Sequence, residues 1–93
     1  MLIQVERQTI VSVLNPNTEL IALRQAIDGV DEALAGLLAC RVCLSHQAQE
    51  LKARAGMPVR DVTREREIQG RYEQRWCGAS TVARAILDLC HED

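Results

Sequence analysis

The sequence predicts an all-α fold, and three observations predict it. Apolar residues recur every three or four positions from Leu20 to Leu51 and again after Asp61, the spacing of one helical face. The only aromatics are Tyr72 and Trp76, with no Phe, whereas strands favour aromatic and β-branched residues. Both prolines, Pro16 and Pro58, fall at the borders of the periodic segments rather than inside them. At 93 residues the chain has the length of one domain.

The elements follow in order. Residues 1–17 are expected to form an N-terminal arm of unassigned structure. Their Ile, Val and Leu show no clean helical stripe and fit an irregular arm, a strand or a short helix alike. Asn15-Pro16-Asn17 reads as a breaker, and Thr18 followed by Glu19 as a helix start, opening a helical domain over 18–93. A long first helix then runs to about Lys52. Its stripe comprises Leu20, Leu23, Ile27, Val30, Leu34, Leu37, Leu38, Leu44, Ala48 and Leu51, weakened a little by Gly29 and Gly36. Gly56 and Pro58 end it. Asp61 is a good N-cap for a second helix that turns Val62, Ile68, Tyr72 and Trp76 inward. Gly78 closes that helix. Ser80 or Thr81 caps a third, whose stripe is Val82, Ala83, Ile86, Leu87 and Cys90.

Length makes the first helix informative. Thirty-five residues at about 1.5 Å each span about 52 Å, against a diameter of roughly 30 Å for a globule of this size. One chain cannot cover such a stripe. A second copy related by a two-fold axis is the simplest cover, giving an intertwined helical homodimer.

Composition excludes several classes. The net charge is −2 with no basic block, which speaks against nucleic acid or an anionic membrane as partner. No apolar run approaches the ~18 residues of a membrane span, and Glu6 and Arg7 interrupt any signal-peptide core, so a cytoplasmic protein is expected. The four cysteines, Cys40, Cys43, Cys77 and Cys90, lack the turn that follows a zinc-knuckle pair. They are expected to be buried free thiols, with no metal bound.

Charges interrupt the stripe. Arg41 stands one heptad after Leu34 and one before Ala48. Lys52, the only lysine beside ten arginines, lies eleven residues further on nearly the same face, about 16 Å along the axis. Cations on a core side need anionic partners. Few carboxylates share that face, so a ligand is one candidate; an arginine that snorkels to solvent or pairs with a neighbouring acid is the other. Asp61, Arg64 and Glu65, at i, i+3 and i+4, read equally as a capping and ion-pair cluster. Arg24 lies about 25 Å from Arg41 and about 42 Å from Lys52 along the helix, too far to share one small ligand. If two long helices pair antiparallel about residue 36, however, Arg24 of one falls opposite position 48 of the other, between Arg41 and Lys52. Three cations and a carboxylate pair then enclose a site suited to a small dianion bearing a hydroxyl.

These residues resemble a known family. The runs Leu20-Ile-Ala-Leu-Arg24-Gln-Ala-Ile27-Asp28-Gly-Val30-Asp31, Leu37-Leu38-Ala-Cys-Arg41, Lys52 and Pro58-Val-Arg-Asp61-Val-Thr-Arg64-Glu65-Arg66-Glu67 are similar to the all-helical (type II) chorismate mutases over about residues 20–76. The resemblance implies an intertwined dimer that converts chorismate to prephenate without cofactor or metal, on the way to phenylalanine and tyrosine. It implies that Arg24 of the partner chain and Arg41 hold the two carboxylates. Lys52 would touch the ether oxygen and a carboxylate, Asp61 and Glu65 would receive the ring hydroxyl, and Arg64 would brace the site. The departure is at the C-terminus, where longer members supply a Gln or Glu to the ether oxygen after a Ser. Here His91-Glu92-Asp93 ends the sequence with no Gln placed, and His91 fits either a substitute contact or a solvent-exposed end. That resembles the short subclass, whose weak activity rises on complexation with DAHP synthase. Rival readings are a mutase for 4-amino-4-deoxychorismate, an isochorismate-pyruvate lyase, which typically departs from this loop motif, and a catalytically silent helical partner subunit.

Overall fold

The structure, a computed structural model, describes residues 15–91. Helix α1 spans Pro16–Ala55, α2 Val62–Glu73 and α3 Ala79–Leu89, with no strand among the described residues. The fold is all-α, as the periodicity predicts. The expected N-terminal arm falls largely on residues 1–14, outside the described residues.

Helix α1 begins two residues earlier and ends three later than its pattern suggests. Asn15 is its N-cap: the side-chain oxygen accepts from the Thr18 amide at 2.8 Å, and the carbonyl accepts from the Glu19 amide at 3.1 Å. Pro16 therefore opens the helix at its first position, where a missing N–H costs nothing and a fixed φ helps. The Asn-Pro-Asn sequence is a start signal here rather than a break before one. At the other end, the Gly56 amide bonds the Ala53 carbonyl at 3.3 Å and the Met57 amide bonds the Lys52 carbonyl at 2.8 Å. This is the Schellman pattern, and it requires the left-handed conformation that Gly56 adopts at φ +69°.

Asp61 caps α2 as expected, in extended backbone at φ −124°, ψ 96°, with its carboxylate accepting from the Arg64 amide at 3.1 Å. The cap of α3 differs from expectation. Neither Ser80 nor Thr81 serves; both lie within the helix, whose N-cap is Gly78 at φ +91°. The Glu73 carboxylate, from the end of α2, accepts from the Gly78 amide at 2.9 Å and the Ser80 amide at 2.8 Å. These bonds, Gly78's first, hold the Glu73 carboxyl below the usual carboxylate range. One side chain thus satisfies the orphan amides of the next helix and fixes the α2–α3 corner.

The chain divides into two compact units, one through Leu34 and one from Ala35 onward. The second holds the packed core. There α2 and α3 lie against each other, with Ile68, Ala83 and Leu87 buried and Tyr72 packed on them; Ala79 and Cys90 are also buried. Val62 and Trp76, expected inward, are 49% and 57% exposed. Val62 belongs to the first turn of α2, and Trp76 falls after that helix has ended, so neither shares the face carrying Ile68 and Tyr72. The cysteines also differ from expectation: Cys90 is buried, whereas Cys40, Cys43 and Cys77 are exposed. Cys40 and Cys43 lie on a different face of α1 from Ser45, that helix's buried residue, and Cys77 sits in the α2–α3 turn.

The apolar stripe of α1 is largely uncovered within one chain. Leu20, Leu23, Ile27 and Leu34 in the first unit, and Leu37, Leu44 and Leu51 in the second, are each between 44% and 69% exposed. They belong to two series spaced by seven, Leu20-Ile27-Leu34-Arg41-Ala48 and Leu23-Val30-Leu37-Leu44-Leu51. Two such interleaved series are the pattern of a seam between helices. Among the described residues no helix is long and apolar enough to cross a membrane. No three His, Cys, Asp or Glu side chains among them converge on a possible metal position.

Because the α2–α3 core is small, each member matters. Leu87→Ala, at a fully buried position, is expected to cost about 2–5 kcal/mol, measured by urea denaturation followed by circular dichroism.

Candidate functional site

The charged residues picked out by the sequence fall on α1 and at the start of α2. Arg41 and Lys52 lie on α1 in the second unit and are half-buried, although most of the helix around them is exposed. The Arg41 guanidinium donates through Nη1 to the Ser45 hydroxyl one turn later, at 3.4 Å, and Ser45 is buried. Lys52 does not project freely. Its Nζ donates to the Val59 carbonyl at 2.8 Å, on the loop between α1 and α2. Gln49, one turn earlier on α1, reaches the same carbonyl at 3.4 Å and the His91 carbonyl at 3.5 Å. The His46 and His91 rings stack with centroids 6.4 Å apart, so the end of α3 adjoins the same stretch of α1.

Asp61, Arg64 and Glu65 occupy the start of α2, and they have separate tasks. Asp61 is exposed and caps the helix. Arg64 is exposed and gives its amide to that cap. Glu65 is 3% exposed, yet it is a carboxylate. Burial of an isolated charge is costly, and the geometry shows what offsets it. Arg60 forks onto it, Nε to Oε2 at 3.0 Å and Nη2 to Oε1 at 2.8 Å. From α3, Arg84 Nη1 donates to Oε1 at 3.0 Å. Arg84 is itself held by Asp88, through Nε at 3.1 Å and Nη2 at 2.8 Å. Hydrogen bonds from Arg60 are the largest influence on Glu65 and those from Arg84 add to them. Together they outweigh burial and bring its carboxyl down to about 2.

The structure ties Lys52 to Val59 and Glu65 to Arg60, consecutive residues of the α1–α2 loop, with Asp61 and Arg64 at the helix start that follows. Arg24 lies on an exposed part of α1, in the first unit. Sequence reasoning missed Arg60 and Arg84. Arg60 stands inside the Pro58-Val-Arg-Asp61 run, but nothing in spacing says that it turns toward Glu65. Arg84 and Asp88 are legible as an i, i+4 pair, but the reach to Glu65, nineteen residues back, depends on how α3 packs on α2.

Chemically, the arrangement offers fixed cations and an anion held in its ionised form. Arg is suited to forked contact with carboxylates and Lys to a single strong donation. Fold and charge together define a class: an all-helical domain that gathers arginines, a lone lysine and acids around the junction of a long helix and a short one. Comparison with known proteins narrows it. The family model for chorismate mutase type II matches residues 23–92. A bifunctional chorismate mutase/prephenate dehydratase of Enterobacter agglomerans is 42% identical over 55 residues, which are 59% of this chain and 14% of that relative. No solved structure matches significantly. The chain belongs to the type II chorismate mutase family, a family of isomerases.

The state of Glu65 predicts a pH dependence. A carboxyl whose pKa falls from 4.5 to about 2 on folding contributes stability that is fully present above pH 4.5 and is lost as pH drops toward 2. Glu65→Gln is expected to be less stable than the wild type at neutral pH, with the gap closing between pH 4.5 and about 2. Urea denaturation at a series of pH values checks this; a gap that stays constant down to pH 2 contradicts it.

Proposed function

We propose that this protein is a chorismate mutase that rearranges chorismate to prephenate, with each active site completed by a second copy of the chain. The observation that carries the reading is the family match over residues 23–92, which includes every candidate site residue from Arg24 to Glu65. The half-buried placement of Arg41 and Lys52 on one helix, with Lys52 bonded to the loop that leads to the acids at the start of α2, supports it. In this reading residues 18–93 are the catalytic domain.

The reaction is a [3,3] sigmatropic rearrangement, in which a C–O bond breaks as a C–C bond forms within one molecule. It needs no nucleophile. The protein has to hold a flexible dianion in its compact conformer, an orientation effect, and to stabilise the negative charge that grows on the ether oxygen. Arg41 and the partner chain's Arg24 would grip the two carboxylates. Lys52 would donate to the ether oxygen and a carboxylate, Asp61 and Glu65 would receive the ring hydroxyl, and Arg64 would brace the acids.

The second copy enters for two physical reasons. The heptad-spaced leucines of α1 stay exposed in a single chain, and contiguous apolar patches of that kind usually mark an interface. Pairing the long helices antiparallel about residue 36 would bury them and bring Arg24 of one chain between Arg41 and Lys52 of the other.

Incubation with chorismate, followed by loss of the enolpyruvyl absorbance, tests the activity; absence of turnover at any protein concentration refutes it. Lys52→Ala is expected to lower kcat by about 10²–10³-fold with its circular dichroism and oligomeric mass unchanged. Shared sites have a sharper test. Arg24→Ala and Lys52→Ala are each expected to be nearly inactive, whereas an unfolded and refolded mixture of the two is expected to recover part of the activity. Each mixed dimer would then carry one site with both residues intact. No recovery, in a mixture shown by analytical ultracentrifugation to be dimeric, places Arg24 outside the shared site.

A further inference from the structure

Two of the residues assigned to the substrate above are already engaged, and both by one short loop. After Gly56 turns the chain out of α1, consecutive loop residues reach the groups in question. The Val59 carbonyl accepts from Lys52 Nζ at 2.8 Å, and the Arg60 guanidinium forks onto Glu65 at 2.8 and 3.0 Å. An ammonium from α1 and a carboxylate from α2 are thus tied to neighbouring residues of the segment that connects them.

We propose that Arg60 is a positioning residue which, together with the Val59 carbonyl, keeps Lys52 and Glu65 bound to the α1–α2 loop, so that the dianion binds in exchange for those loop contacts. The inference rests on the reading above, in which Lys52 and Glu65 meet the substrate. An ionised carboxylate has about four acceptor positions. At Glu65 two are taken by Arg60 and a third by Arg84, and the residue is 3% exposed. One position remains, and on a residue so little exposed a ring hydroxyl gains access by exchanging with the more exposed of the two guanidinia.

The two guanidinia differ in the element that carries them and in their exposure. Arg84 is on helix α3, pinned on its other side by Asp88, with its side chain 33% exposed. Arg60 is on a loop, with its side chain 55% exposed. Arg60 is the one placed to exchange, and Arg84 remains to keep Glu65 ionised when it does. At Lys52 the exchange favours the substrate, because an anionic oxygen is a stronger acceptor for an ammonium than a neutral carbonyl. At Glu65 it does not, because the forked Arg–carboxylate pair is the stronger arrangement. Arg60 therefore sets how much of the population is ready to bind, and apparent affinity falls in proportion to that fraction. Its effect belongs on KM, not on the rearrangement itself.

Two readouts test this. Lys52 is the only lysine in the chain, so its acetylation by an N-hydroxysuccinimide ester can be followed at a single side chain by mass spectrometry of proteolytic fragments. Arg60→Ala is expected to speed that acetylation several-fold by loosening the loop from Lys52, Arg60→Gln, which keeps a single hydrogen-bond donor group, to give an intermediate rate, and Arg84→Ala to leave it unchanged. An unchanged rate in Arg60→Ala, or an equal rise in Arg84→Ala, overturns the proposal, the second because general loosening would then explain the effect. Should Arg60→Ala fail to fold, Arg60→Gln decides the same question. In the chorismate assay Arg60→Ala is expected to lower KM with kcat nearly unchanged; a fall in kcat with KM unchanged, or a rise in KM, overturns it. A wild-type protein that does not turn over chorismate refutes the function proposed above, and the acetylation rates still decide whether the loop holds Lys52.

Discussion

The controlling constraint is the mismatch between one helix and the rest of the chain. Helix α1 has 40 residues, and α2 and α3 have 12 and 11. The two short helices bury their own apolar faces chiefly against each other, around Ile68, Ala83 and Leu87. They cannot also cover two heptad-spaced series of leucines and isoleucines that run the length of α1. An exposed apolar face of that extent calls for a complementary surface, and the proposed second copy would supply one. The same stripe carries Arg41 where the heptad calls for an apolar residue. A seam with a cation at that position is poorly explained by packing alone and well explained if the seam also forms a wall of an anion site.

Around the junction of α1 and α2, charge organisation takes over from apolar packing. Glu65 is the hub. A buried carboxylate is tolerable only because two guanidinia surround it, and its low pKa records how strongly they favour its ionised form. The hub does more than neutralise charge. It ties the α1–α2 loop, through Arg60, and α3, through Arg84, to the start of α2. Glu73 does similar work at the other end of α2, where one carboxylate caps the amides that open α3. Two acids of one short helix thus set the position of the loop before it and the helix after it.

Much of this was legible in the sequence, and the reasons for success and failure are physical. The three helices were readable because a 3.6-residue period and local caps are properties of neighbouring residues; Asp61 was identified as an N-cap from its type and place alone. The α3 cap was misassigned because a hydroxyl beside the helix start is the usual solution, whereas here a carboxylate from the preceding helix arrives first. Val62, Trp76 and three cysteines were expected inside because apolar and thiol side chains are usually buried. Burial depends on which faces other elements cover, and a sequence records a face but not its cover. The candidates Arg24, Arg41 and Lys52 were legible from their spacing on the stripe, and Asp61, Arg64 and Glu65 from the run that begins at Pro58. Arg60 was passed over within that run because direction of reach is not encoded in spacing, and Arg84 because its partner lies on another helix.

What the sequence determined by itself is therefore the all-α class, the length and apolar striping of α1, the acids and arginine at the start of α2, and the family to which the chain belongs. All of these are set by residue type and short-range spacing. Only the tertiary structure decided that Glu65 is buried between Arg60 and Arg84, that Lys52 donates to the Val59 carbonyl, and that Glu73 caps the following helix. Each of those depends on the approach of groups from different elements. Charged side chains are long enough to choose among several partners, and the packing of the backbone makes the choice.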